Sequence, residues 1–252
     1  MDGSRPRTVS NGGEHAAGGH CSARVRLEML GRAPLFGSLD EAALGRVNEQ
    51  CRAVACSPGA VVYREGDPAE RLYVVATGAV KLVRHGADGT PVLHDVVAPG
   101  ETFGSLYALG DDLLTHEAVA LRPGCLLLLT ADAFHHVMRT EPGVAEAALR
   151  LTANRLREAQ GTVQALSTLP VEGRLAATLL RLARKVGQED GGGMHLGVAP
   201  TQVDLAAMTG TSPESVSRVF ARWRAQGWVA TGPGGPVLRD LEALGRMAEG
   251  VA

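Results

Sequence analysis

Between Pro58 and Leu129 the chain is cut at short, regular intervals by turn-forming residues, and this constrains its fold more than any other feature. The cuts fall at Pro58-Gly59, Gly66-Asp67-Pro68, Gly78, Gly86, Asp88-Gly89, Pro99-Gly100 and Pro123-Gly124. Between them lie short apolar, β-branched segments: Val61–Tyr63, Leu72–Ala76, Ala79–Val83, Val92–Val97, Glu117–Leu121 and Cys125–Leu129. Glycine opens backbone angles that other residues resist, and proline presets one, so these residues punctuate strands. Several short strands with regular turn signals predict a small β-barrel or sandwich. Asp88-Gly89, between two apolar strands, predicts a hairpin turn.

The texture is helical on either side. Residues 24–55 read as helix, with Leu35, Phe36 and Leu39 leading into an amphipathic stretch from Glu41 to Cys51. Ala131–Met138 reads as a short helix ended by Glu141-Pro142-Gly143. A long helix is then expected over 145–166, with Leu149, Ala153, Leu156, Ala159 or Gln160, Val163 and Leu166 spaced three and four apart. That spacing is a coiled-coil seam. Either the chain buries the stripe on its own β-domain or two copies pair along it, and the dimer is the favoured reading. Leu169-Pro170 breaks the helix, Val171–Val186 forms another amphipathic one, and Gly187–Gly193 reads as a loop.

Thr201–Arg224 has the pattern of two short helices joined by a tight turn. Gln202–Met208 comes first, and Thr209-Gly210-Thr211 supplies the turn. Ser212-Pro213-Glu214 then gives a capping hydroxyl, a proline preset for the first helical position and an acid suited to the helix dipole. Val216, Val219, Phe220 and Trp223 form a buried stripe, leaving Glu214, Ser215, Ser217, Arg218 and Arg222 on the outer face. Such a face suits base edges in a major groove. The alternative is an ordinary αα-hairpin with a solvated face. Trp228 to Leu238 reads as a small β-wing.

At 252 residues and 45% apolar content the chain has room for two globular domains. No apolar run approaches the ~20 residues of a membrane helix. The N-terminal stretch has no hydrophobic segment of a secretory signal. A disordered tail over 1–24 and a cytoplasmic protein without membrane contact are expected. The formal charge of −2 says nothing for nucleic acid, and residues 171–230 carry only 7 Lys+Arg against 5 Asp+Glu. Any basic patch must therefore come from placement. Cys21, Cys51, Cys56 and Cys125 fit no zinc spacing and are expected to be reduced in a cytosolic chain. There is no nucleophile–base pair, P-loop or metal quartet, so an enzyme is not expected.

The block from Pro58 to Gly104 resembles the cyclic-nucleotide-binding β-roll in the spacing of Gly66-Asp67, Leu72-Tyr73, Gly78, Lys81, Asp88-Gly89, Pro99-Gly100 and Phe103-Gly104. With the helix-turn-helix in the expected place, the chain from about residue 30 resembles the CRP/FNR superfamily of bacterial transcription regulators. The resemblance implies an α+β fold: an N-terminal β-roll, a long dimerisation helix and a C-terminal winged helix-turn-helix. The implied divisions are a β-roll sensor domain over 25–141, the dimerisation helix over 142–168 and the DNA-binding domain over 169–252. It also implies a homodimer on a two-fold-symmetric operator, gated by an effector in the β-roll and working with RNA polymerase.

Two departures refine this. In cyclic-AMP-binding members a Glu follows the glycine of the phosphate-binding turn, and an Arg-Ser pair clasps the phosphate. Here the pocket positions are Gly104, Ser105 and Leu106, then Thr115 and His116, with Ser105 replacing the Glu, Thr115 the Arg and His116 the Ser. A buried anion without a cation partner is costly, so cyclic AMP is not expected as the effector. The reading helix instead fits the E-x-x-S-R pattern of the FNR-like branch. Carried over, Glu214 accepts from cytosine, Arg218 donates to guanine and Ser217 lies against thymine. The implied site resembles TTGAT-N4-ATCAA, with Thr201 and Ser212 as DNA-backbone contacts.

What is sensed stays open. An iron–sulfur cluster needs four thiolates, three of them close together near the N-terminus, where only Cys21 lies. Cys51, Cys56 and Cys125 are wrongly spaced for it. Haem, used by some FNR-like relatives to sense nitric oxide or carbon monoxide, would need a ligand from His85, His94, His116, His135 and His136. A small organic ligand, a redox change at a thiol or no effector are the other readings. A β-roll adaptor that no longer reads DNA is the competing function.

Overall fold

The structure is a computed structural model that describes residues 21–86, 89, 91–106, 112–197, 200–232 and 235–250. The tail before Cys21 and Asp88 of the expected hairpin turn lie outside the described residues. Side-chain hydroxyl or carboxylate caps start the first helices. Ser22 accepts from the Val25 amide at the start of α1 (Ala23–Arg32), and Asp40 from Ala43 at α2 (Glu41–Gln50).

Six strands follow: β1 (Arg52–Cys56), β2 (Val61–Tyr63), β3 (Glu70–His85), β4 (Pro91–Val97), β5 (Thr102–Leu106) and β6 (Glu117–Thr130). The helical expectation for 24–55 thus stops at Gln50. Arg52–Cys56 pairs antiparallel with β6, from Arg52↔Leu128 to Cys56↔Gly124, and a waiting partner strand overrides local preference. The sheet runs β1-β6-β3-β4, with β2 on β6 and β5 on β3.

Two expected breaks are not turns. Leu72–Ala76 and Ala79–Val83 form one strand, β3, and Glu117–Leu121 and Cys125–Leu129 form another, β6. Gly78 (φ 88°) and Gly124 face each other across this pair, where the register shifts between Val75 and Val80. A Cβ on Gly78 would lie 2.9 Å from Gly124 Cα, and one on Gly124 would strike the Thr77 carbonyl. The glycines permit a bulge with close backbone approach.

Both faces of β3 are buried, which explains its continuous apolar run. Leu72, Val74 and Ala76 join Cys125, Leu127 and Leu129 under α1 and α2. Tyr73, Val75, Val80 and Leu82 join Tyr63, Phe103 and Leu126 in a second core.

After α3 (Ala131–Thr140) comes α4 (Pro142–Thr168). Helix α3 ends before Glu141-Pro142, as expected, and Pro142 also begins α4, because its missing N–H is not needed in the first turn. Val144 and Ala148 root α4 in the first core. Leu149, Leu156, Val163 and Leu166 are 74, 60, 64 and 45% exposed.

The chain forms two compact units: one up to Arg84 with Val97–Arg155, the other His85–Val96 with Leu156 onward. The second unit contains α5 (Val171–Val186), β7 (Gln188–Glu189), β8 (Met194–His195), α6 (Gln202–Thr209), α7 (Pro213–Ala225), β9 (Val229–Gly232), β10 (Gly235–Leu238) and α8 (Leu241–Ala248). The expected loop over 187–193 carries β7, in a sheet ordered β7-β8-β10-β9. Helix α8, capped by Asp240, follows the wing without having been anticipated and buries Ala243 and Leu244. In the same unit Asp95 binds Arg181 Nη1 at 2.6 Å and Lys185 Nζ at 2.9 Å. Among the described residues no helix is long and apolar enough to cross a membrane.

Candidate DNA-reading surface and effector pocket

The start of α6 is fixed by a reciprocal cap. The Thr201 hydroxyl accepts from the Asp204 amide at 3.0 Å, and the Thr201 amide donates to Asp204 Oδ2 at 2.8 Å. Gly210, left-handed at φ 61°, ψ 47°, ends the helix. Arg174 of α5 holds this turn: its Nε donates to the Thr209 carbonyl at 2.7 Å and its Nη1 to the Leu169 carbonyl at 2.9 Å. Sequence reasoning passed over Arg174, which looks like any charge on an amphipathic helix.

Ser212 then caps α7, accepting from the Ser215 amide at 3.3 Å, with Pro213 at the first helical position. Val216, Val219, Phe220 and Trp223 are buried, as their spacing predicts. Glu214 and Arg218 are exposed, and Ser217 is half-buried beside them. Hydrogen bonding from its own amide and from Ser212, with Arg218 nearby, holds the Glu214 carboxyl below the usual range, so it is an acceptor at neutral pH. The Arg218 Nη2 donates to Ser215 Oγ at 3.0 Å, and Ser212 Oγ lies 3.2 Å from Ser215 Oγ. This chain steadies the guanidinium on the outer face. Arg222 is exposed as expected, and pairs with Glu172 of α5 at 2.7 Å.

The pocket positions divide. Gly104 (φ 85°) pairs with Leu72, and Ser105 with Arg71, while the side chains of Ser105 and Leu106 lie outside the described residues. Thr115 is exposed, with its hydroxyl 3.2 Å from His116 Nδ1. His116 Nε2 lies 2.9 Å from the Tyr63 hydroxyl. Tyr63 stacks on Phe103 with ring centroids 6.0 Å apart, and Phe103 on Tyr73 at 5.0 Å. Burial pushes the Tyr63 hydroxyl far above its ordinary pKa, so it stays un-ionised. Arg155 of α4 donates to the Thr102 carbonyl at 3.3 Å, close enough to Tyr63 to offset part of that rise. Tyr63 and Arg155 carried no sequence signal, because β2–β6 pairing and the fold of α4 bring them in from far along the chain.

The metal-ligand candidates are dispersed. His94, His135 and His136 are exposed, unlike the apolar slot that haem ligation requires, and both ring nitrogens of His116 are engaged. Among the described residues no group of three or more His, Cys, Asp or Glu is placed to hold a metal. Cys51 and Cys56 are buried free thiols. Cys21 and Cys125, expected to be reduced, form a disulfide across 104 residues, because α1 packs on β6 and brings their Cα atoms to 5.9 Å.

Comparisons with known proteins agree with this geometry. Residues 53–141 match the cyclic nucleotide-binding domain and residues 173–247 the Crp-like helix-turn-helix domain. A CRP-like cAMP-activated global transcriptional regulator of Mycobacterium tuberculosis is 30% identical over 88% of this chain and 99% of its own length. The cyclic AMP receptor protein of Thermus thermophilus is 34% identical over 77% of this chain and 87% of its own. This chain belongs to the CRP/FNR family of transcription regulators. A solved CRP/FNR-family regulator, also from Thermus thermophilus, covers 79% of this chain and 98% of its own, with TM-score 0.65 and 27% identity. Like the rest of the CRP/FNR family, the chain is a DNA-binding regulator rather than an enzyme.

Proposed function

We propose that this regulator binds, as a homodimer, an inverted repeat resembling TTGAT-N4-ATCAA. Glu214 accepts from cytosine, Arg218 donates to guanine and Ser217 packs against thymine. Thr201 and Ser212, both exposed caps, contact the DNA backbone. RNA polymerase is the further partner. The observation that carries the reading is the Ser212–Ser215–Arg218 chain, which holds the guanidinium beside an ionised Glu214 on an exposed helix.

Cyclic AMP is not the effector in this reading. Where the family clasps a cyclic phosphate, this chain has Thr115 and a His116 already bonded to Tyr63. The Mycobacterium relative is by name cAMP-activated, and in this reading Thr115 and His116 set this chain apart from it.

A gel shift with the inverted TTGAT repeat tests the base contacts, with and without cyclic AMP. Arg218→Ala is expected to lose on the order of 1–3 kcal/mol at the guanine position and to relax specificity there. Equal discrimination between operator and scrambled DNA by wild type and variant sinks the assignment. Binding absent even at low salt favours the adaptor reading, because phosphate contacts strengthen as salt falls. Tighter operator binding with cyclic AMP overturns the effector reading.

A further inference from the structure

The Cys21–Cys125 disulfide has no part in reading DNA, yet it sits where it bears on the dimerisation helix. Cys21 is half-buried, immediately before the Ser22 cap of α1, and Cys125 is buried in β6. The Cys125 amide donates to Thr77 Oγ1 at 3.1 Å, beside the facing glycine bulge. Cys125 belongs to the core that also contains Val144 and Ala148 of α4, and Cys21 and Leu151 pack against that core. The bridge therefore ties the first helix to the packing that roots α4.

The other two thiols are chemically quiet. Burial pushes Cys51 up to about 12 and raises Cys56, so neither is a thiolate at neutral pH. Thiol chemistry is confined to one pair. A DNA-binding regulator works where the chromosome is, and in most cells that compartment keeps thiols reduced. Disulfides that form there are usually transient and either catalytic or redox-sensing.

We propose that Cys21 and Cys125 are a redox-sensing pair, oxidised by peroxides or by low-molecular-weight disulfides, and that the disulfide strengthens operator binding by fixing the root of α4. This rests on the DNA-binding reading above. With a peroxide, the Cys21 thiolate attacks one oxygen and becomes a sulfenic acid as water or an alcohol leaves. The Cys125 thiol then attacks that sulfur and expels a water, so two thiols are oxidised and one peroxide is reduced. With a low-molecular-weight disulfide, Cys21 forms a mixed disulfide and Cys125 releases the second thiol. A reducing dithiol reverses either path by attack at Cys21, the more accessible sulfur.

The test uses the full chain. Protein reduced with dithiothreitol is treated with hydrogen peroxide in one arm and oxidised glutathione in the other. Thiols are counted by maleimide labelling in denaturant, and operator affinity is measured on the same samples. Two thiols are expected to disappear on oxidation, with operator binding tightening about 5–150-fold, the usual range of coupling between sites. Cys21→Ser, at the half-buried position, is expected to bind like reduced wild type and not to respond. Response to one oxidant alone assigns the class sensed. Operator affinity unchanged or weaker on oxidation overturns the proposal, as does a disulfide that dithiothreitol leaves intact. No binding in either state, even at low salt, overturns the DNA-binding reading as well.

Discussion

Gly104 shows how one residue can be flagged for one reason and required for another. Its position in the motif marks it as the glycine of a phosphate-binding turn. In the structure it lies in β5 at φ 85°, and a Cβ there would sit 2.6 Å from the Arg71 carbonyl oxygen. Gly66 has the same φ of 85° with nothing within 4 Å of a built Cβ. Gly66→Ala is thus expected to cost only the left-handed strain, ~1–2 kcal/mol. Gly104→Ala adds a backbone clash and is expected to cost about 1–3 kcal/mol more. Thermal unfolding by circular dichroism measures both. Equal losses mean that β5 shifts to absorb the methyl group. The candidate site around Gly104 was only half legible in the sequence. Motif spacing pointed to Thr115 and His116, but the Tyr63–His116 bond depends on β2 pairing with β6, and no local pattern encodes a partner 53 residues away.

At the level of elements, local chemistry was legible wherever it is self-contained. The bounds of α5, the cap at Ser212 and the turn at Gly210 follow from residues within one turn of each other. The misreadings share one cause, a partner distant in sequence. Gly78 and Gly124 look like turns because each is read alone, whereas facing each other they form a bulge in two long strands. Asp95 is another residue defined by distant partners. Burial pushes its carboxyl up, but Lys185 and Arg181 outweigh that, and the net shift is downward. A carboxyl with a depressed folded pKa contributes its stability above the unfolded value of about 3.9 and loses it as pH falls through the folded value. Asp95→Asn is expected to destabilise the second unit by about 1.5–3 kcal/mol at pH 7, since it removes charged hydrogen bonds. The gap should close as pH falls through the depressed folded value, where wild-type Asp95 takes up its proton. Both tryptophans, Trp223 and Trp228, lie in that unit, so urea unfolding followed by tryptophan fluorescence isolates it. A gap that does not shrink as the pH is lowered through the acid range, as far as the second unit stays folded, removes the ion pair as its origin.

For the whole molecule the decisive surface is the one the single chain leaves uncovered. The root of α4 is buried by Val144 and Ala148, so its own core accounts for the first turns and not for the row beyond. Leu149, Leu156 and Val163 stand seven residues apart and more than half exposed, a spacing that a second helix of the same kind fills. CRP/FNR-family regulators are dimers, and a two-fold operator needs two reading helices held at a fixed separation. In this arrangement each Leu156 buries on association, and losing two such side chains removes about 3–6 kcal/mol per dimer. Leu156→Glu adds a pair of like charges at the same place. The dimer dissociation constant is therefore expected to rise at least ~100-fold, the factor that about 3 kcal/mol produces. The exposed position predicts little effect on the folding of the chain itself. Sedimentation velocity across a concentration series reads the first quantity, and thermal unfolding reads the second. A monomeric, folded variant that binds the full inverted repeat no better than a single half-site fits the proposed seam. A variant that remains dimeric at micromolar concentration shows that the two copies meet elsewhere.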